Sequence, residues 1–198
     1  MTQMERKTRI EAAAYEVLAE KGYKSTTMLA VAKRARASNE TLYKWYGSKP
    51  ALFAELVKAN AAEVRERLEA AASGAPLDRL RAAAPILLLM VTGDRAIALN
   101  RAAAADCAET GTLGASIATH GREAVAPLIR AALEEARRDG ALAFDDPAEA
   151  TGDFINLLIG DLQIRRAIGA APPLTEAQAH LRAEVAMVKF LRLYAAPR

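Results

Sequence analysis

Residues 38–49 read S-N-E-T-L-Y-K-W-Y-G-S-K, a run of side chains suited to recognising nucleic acid rather than to making or breaking bonds. Asn pairs with adenine and Lys with guanine in the major groove, so Asn39, Thr41 and Lys44 are candidates for reading base edges. Tyr43 can donate its hydroxyl to a phosphate, with a core tyrosine as the plainer alternative. Lys49 stands at an expected helix start, where backbone N–H groups also favour phosphate. Thr27, Arg36 and Ser38 join the candidate DNA contacts at the edges of the same stretch, and Trp45 suits either the core or the sugar–phosphate edge. Glu40 either accepts from a cytosine amino group or weakens binding by repelling phosphate.

Catalysis has no comparable support. His120 and His180 are too far apart in sequence to form a metal motif and read as ordinary helix residues. Cys107, with Asp106 and Glu109 nearby, has no neighbouring base, and a lone Cys on an Ala-rich helix reads as packing. Residues 111–116, G-T-L-G-A-S, lack the G-K-[ST] ending of a phosphate loop. No catalytic residue, metal site or cofactor is expected.

The recognition stretch needs helices to hold it. Met28, Val31, Ala32 and Ala35 recur at i, i+3, i+4 and i+7, which places them on one helix face. Thr26 or Thr27 caps that helix, and Ser38 caps the next. Ala35-Arg36-Ala37 between them has the length of a helix-turn-helix turn. The second helix turns Leu42, then Trp45 or Tyr46, inward. An earlier helix runs from about Glu5 to Lys21, with Ile10, Ala13, Ala14, Val17 and Leu18 on its apolar face and Gly22 ending it. Arg6, Lys7 and Arg9 near its start are either solvated terminal charge or a basic arm for phosphates or the minor groove. A fourth helix starts after Gly47, with Ser48 as cap and Pro50 in its first turn, and continues to about Ala72.

Five more helices are expected: about Leu77–Val91 with a bend at Pro85, Arg95–Glu109, Ala115–Arg138, from Asp146 to about Ile168, and from Thr175 to about Tyr194. Asp146-Pro147-Ala148-Glu149 and Thr175-Glu176-Ala177-Gln178 both read as capping-box starts. The last two helices are apolar on more than one side. A helix apolar on two sides needs two covers. One is the chain's own core, and a second subunit is the simplest other, through Phe154, Leu158, Leu162, Leu181, Val185 and Val188.

Ala and Leu dominate and no period-two alternation persists, so the fold class is all-α, with about nine helices. A single cysteine excludes an internal disulfide. No apolar leader opens the chain, and the longest aliphatic run, from Pro85 to Val91, is far short of the ~20 residues that span a bilayer. A cytoplasmic protein without a membrane partner is expected. The net charge of +3 is small, but residues 1–50 hold ten Lys/Arg against five Glu, a net of +5, leaving −2 for the rest. A basic head on a slightly acidic body suits a DNA reader with a second task elsewhere.

The run T-T-M-L-A-V-A-K-R-A-R-A-S-N-E-T-L-Y-K-W-Y-G-S-K-P-A-L-F, with Arg9-Ile10, Ala12-Ala13, Leu18 and Gly22-Tyr23 before it, resembles the DNA-binding domain of TetR/AcrR-type transcriptional regulators. The resemblance covers about residues 8–56. Two departures stand out: Arg36 where the family usually has Gly, which takes φ > 0 at little cost, so that Arg36 must either tolerate that conformation or shift the turn, and Glu40 where a small residue is common. From about Arg95 to Ala167 the chain more weakly resembles the C-terminal half of AefR-type members. The resemblance implies a helix-turn-helix head over residues 1–50 and a ligand-binding and dimerisation body over 51–198. It implies a homodimer paired through the last two long helices. Its partners would be a near-palindromic double-stranded DNA operator and a small-molecule effector that releases it, with the chain acting as a repressor. Leu87, Met90, Asn100, Asn156 and Ile159 are candidates for the effector pocket. Six of the ten aromatics lie in the first 53 residues, so its walls would be mostly aliphatic, which favours a mostly apolar effector over a cationic one. The alternatives are an all-helical small-molecule carrier or enzyme with a structural head, which predicts no salt-dependent duplex binding, and a helical adaptor that recruits another protein.

Overall fold

The computed structural model describes residues 2–197, with side chains described throughout except at 122–124. The described residues are helical without a named strand; one isolated antiparallel bridge joins Leu142 and Ala195. The helices are α1 (Gln3–Ser25), α2 (Met28–Arg34), α3 (Asn39–Tyr46), α4 (Lys49–Ala70), α5 (Pro76–Thr92), α6 (Asp94–Asp106), α7 (Thr112–Ile117), a π-helical turn (Ala118–Arg122), α8 (Glu123–Arg138), α9 (Pro147–Ile159), α10 (Leu162–Ala167) and α11 (Glu176–Tyr194).

Local signals set most of these ends. Thr2 and Glu5 form a capping box at α1, and Thr175 and Gln178 form one at α11. Asp146 caps α9, with Pro147 in its first turn. Gly22, at φ 71°, interrupts α1 as expected, yet a short helical stretch continues to Ser25.

Two helices differ from expectation. The helix expected to run to Ile168 is broken at Gly160, which adopts φ 54°. Arg182 of α11 donates to the carbonyls of Leu158 (2.7 Å) and Ile159 (2.9 Å), satisfying α9's last acceptors. A Cβ at position 160 would lie 2.8 Å from that guanidinium, so only glycine fits without displacing it. The helix expected from Ala115 begins instead at Thr112 and passes through the π-helical turn before α8.

Packing divides the chain into two compact units, Met1–Asn60 with Arg95–Gly121, and Ala61–Asp94 with Arg122–Arg198. These packing units do not coincide with the division expected after residue 50: most of α6 and all of α7 pack with the N-terminal helices. Leu99, Ala102 and Leu113 share one buried cluster with Ile10, Val31, Leu42 and Phe53. The boundary falls inside α4 and inside α6, each of which is unbroken across it.

The second unit has its own core. Leu68, Leu88, Leu133, Phe154, Leu158 and Phe190 are buried together in it. Phe154 and Phe190 meet edge to face at 5.3 Å, and the Tyr194 hydroxyl donates to Asp153 at 2.7 Å. Phe154 and Leu158 are thus corrected as subunit contacts: both are fully buried inside their own unit, where α9 packs on α8 and α11. Leu162 is half-buried. Leu181, Val185 and Val188 stay 69%, 48% and 48% exposed, and their i, i+4, i+7 spacing makes one apolar row along α11. Arg166 of α10 is buried; it donates to the Thr92 carbonyl at α5's end (3.0 Å) and pairs with Asp94 (2.6 Å).

Candidate nucleic-acid interface

The first unit builds a helix-turn-helix from α2 and α3. Thr27 caps α2 by accepting from the Ala30 N–H at 3.1 Å, and Ser38 caps α3 by accepting from Thr41 at 3.0 Å. Each cap satisfies a donor that the helix start leaves open. Leu42 and Tyr46 anchor α3 in the core. The Tyr46 hydroxyl is buried without a hydrogen-bond partner, and its pKa is pushed up to about 12, by burial first and then by the charges of Glu11 and Glu55.

The turn between the helices holds Arg36 at φ 48°, the one described non-glycine residue with positive φ. The Arg9 guanidinium donates to its carbonyl at 3.4 Å. A left-handed conformation costs a residue with a Cβ roughly 1–2 kcal/mol. Glycine loses more chain entropy on folding, which offsets part of any gain. Arg36→Gly is therefore expected to raise stability by about 0.5–1 kcal/mol while lowering duplex affinity by removing one cation. Thermal melts and a salt titration of binding check both signs; a lower melting temperature would refute strain at this position.

The candidate contacts separate by exposure. Tyr43 is half-exposed and Lys44 and Glu40 are exposed, so α3 presents them outward, and the core alternative for Tyr43 is overturned. The Thr41 hydroxyl lies 2.7 Å from that of Ser38, inside the cap. Asn39 is half-buried, its Oδ1 is buried, and that atom has no hydrogen-bond partner. Trp45 is half-buried and edge-on to Tyr46 at 6.5 Å. The Lys49 ammonium donates to the Tyr23 carbonyl at 3.0 Å and lies 4.2 Å from the centre of the Tyr23 ring.

Three further side chains join this face. An open groove of about 650 Å³ is lined by Lys21, Leu29 and Lys33 together with Thr27, Arg34 and Arg36. Arg34 is held by Glu16 (2.9 Å) and Glu20 (2.6 Å), which ties α2 to α1. The periodicity of either helix alone does not link Lys21 to Lys33, so the groove was not legible in the sequence.

The effector candidates divide between the two units. Leu87 is buried, and Met90 and Ile159 are half-buried against the same core of the second unit. Asn156 is exposed on α9, and Asn100 belongs to the first unit. Among the described residues no group of three or more His, Cys, Asp or Glu is placed to hold a metal ion, and no single helix is long and apolar enough to cross a membrane.

Comparison with known proteins agrees with this architecture. Residues 10–56 match the family model for bacterial regulatory proteins of the tetR family, and residues 78–196 match that for the C-terminal domain of AefR-like transcriptional repressors. A solved TetR transcriptional regulator from Agrobacterium tumefaciens is 30% identical, with a TM-score of 0.74 over 99% of this chain and 96% of that one. The flavonoid-responsive regulator FrrA is also 30% identical, with a TM-score of 0.73 over 98% of this chain and 99% of its own. A TetR-family structure from Mesorhizobium loti MAFF303099 shares the fold at a TM-score of 0.83 over 99% of this chain and all of that one, with 22% identity. The HTH-type transcriptional regulator YdeS of Bacillus subtilis (strain 168) is 44% identical over 43 residues, a match that spans 22% of each chain. Family models covering both ends of the chain and two 30%-identical relatives matched along nearly their whole length lead to one conclusion: the chain belongs to the TetR family of DNA-binding transcriptional regulators.

Proposed function

We propose that this regulator is a homodimeric repressor that binds a near-palindromic operator and leaves it when a small, mostly apolar effector enters the helical body. The observation that carries the reading is the capped helix-turn-helix whose second helix turns Tyr43 and Lys44 outward beside Asn39. Asn39, Thr41 and Lys44 read bases, while Thr27, Arg36, Ser38, Tyr43, Trp45 and Lys49 hold the backbone. The exposed row Leu181, Val185 and Val188 supports a second subunit as its cover. Two heads then meet half-sites about one helical turn, ~34–36 Å, apart.

The effector takes up an aliphatic environment, with Leu87, Met90 and Ile159 among its walls. The flavonoid-responsive relative supports an effector with a largely apolar skeleton. Release requires that the effector prefer a different head spacing, because a ligand shifts an equilibrium only by its differential affinity. Helix α4, continuous from Lys49 to Ala70, is the element through which its tilt reaches the DNA contacts. The protein acts in the cytoplasm, where the DNA is.

Fluorescence anisotropy of a labelled duplex from the region upstream of its own gene, titrated at several salt concentrations, tests the reading. The expected result is tight binding by two subunits per site, with log affinity falling against log salt by about 0.9 for each phosphate neutralised. Weak, sequence-indifferent binding to that duplex and to every duplex selected from a random library would overturn it.

A further inference from the structure

We propose that Asp106, far from the helix-turn-helix in sequence, is a positioning residue for DNA binding: acting through Tyr23, it holds the Lys49 ammonium where a phosphate meets it. This rests on the reading of Lys49 as a phosphate contact. Asp106 is fully buried at the end of α6, in the same unit as the head. A buried carboxylate persists only where donors surround it. Its oxygens accept from the Tyr23 hydroxyl (3.2 Å), the Thr110 hydroxyl (2.9 and 2.8 Å) and the Leu113 N–H (3.1 Å). Its backbone carbonyl accepts from the N–H groups of Glu109, Thr110 and Gly111. The turn from residue 106 to 113 is thus wrapped around one side chain, and that side chain points its remaining capacity at Tyr23.

Tyr23 is in turn fixed on every side. Its ring meets Phe53 edge-on at 5.3 Å, and its face carries the Lys49 ammonium. Its carbonyl accepts from both the Thr26 N–H (3.2 Å) and Lys49 (3.0 Å). A lysine ammonium has three donors, so Lys49 keeps two for a partner outside, although part of its charge is felt by the Asp106 carboxylate. The rotamer freedom a lysine normally loses on docking is already lost in the free protein, which is how preorganisation strengthens binding. Loosening the Tyr23 ring by removing its bond to Asp106 returns that freedom to Lys49.

The test is a double-mutant cycle on the full chain, with a duplex selected from a random library by the wild type. Tyr23→Phe keeps the ring and the carbonyl and removes only the hydroxyl. It is expected to weaken binding about fivefold when Lys49 is present and to have almost no effect in a Lys49→Ala background. Asp106→Asn is expected to follow the same pattern, with all variants assayed well below their measured melting temperatures. Equal losses in both backgrounds would mean a structural bond only and would overturn the inference. So would an unchanged affinity in Tyr23→Phe. If Lys49→Ala alone leaves affinity and salt slope unchanged, the phosphate-contact reading fails, and the inference with it.

Discussion

Tyr43→Phe combined with Lys49→Ala is expected to lower operator affinity by roughly 10²–10³-fold. Tyr43 is half-exposed on α3, so Phe in its place keeps the apolar ring and deletes one donor. Lys49 sits in the first turn of α4, where the open N–H groups of the helix start and its ammonium favour the same anion. Hydrogen bonds to a charged acceptor contribute about 1.5–3 kcal/mol when well formed, and exposed ones less. Taking about 1 kcal/mol for each contact and two subunits per operator, the loss is about 4 kcal/mol at most. The loss should be nearly the same for every duplex, because phosphate contacts carry no sequence information. The salt slope should fall by about 1.8, one 0.9 step for each of two lysines. Asn39→Ala should behave differently, relaxing discrimination at one base pair. Anisotropy titrations on matched and mismatched duplexes measure all three. An affinity within threefold of wild type for the Tyr43/Lys49 pair would overturn the contact assignment.

The second large effect is on stability. Asp106→Ala is expected to destabilise the head by about 3 kcal/mol, because the Tyr23 hydroxyl and the Leu113 N–H lose their buried acceptor. In a chain of this length that lowers the melting temperature by about 6–12 °C. Trp45 is the single tryptophan and lies half-buried in the same unit, so its fluorescence reports unfolding there. Burial pushes the Asp106 carboxyl up, but the bonds from Leu113, Thr110 and Tyr23 and the charge of Lys49 outweigh it and hold its pKa below 3.8. A depressed folded pKa means this stabilisation is complete above the unfolded value and is lost as pH falls through the folded one. The wild type should therefore show an acid-side loss beginning below about pH 4 that Asp106→Asn lacks. A loss under 1 kcal/mol in Asp106→Ala would show that the turn does not depend on this carboxylate.

Much of the head was legible because its signals are short-range. Thr27 and Ser38 each cap a helix by bonding an N–H three residues on, and the residue types alone announce this. At Arg36 the sequence left two outcomes, a tolerated left-handed conformation or a shifted turn, and the structure shows the first. Apolar spacing placed Met28, Val31, Leu42 and Phe53 in the core. The same rule misplaced Phe154 and Leu158, because periodicity tells which residues share a face and not which neighbour covers it.

By itself, the amino-acid sequence determined an all-helical chain, a capped helix-turn-helix and the family that these residues mark. It did so because caps, turns and helix faces join residues one to four apart. Only the tertiary structure decided that α9 stops at Gly160, since the arginine that occupies its Cβ space comes from α11. Only it brought Lys21 and Lys33 to one groove and assigned α6 and α7 to the head. Asp106 and Tyr23 are 83 residues apart, and no local pattern couples them. Their bond exists because packing of Leu99, Ala102 and Leu113 into the head's core carries the end of α6 to Tyr23.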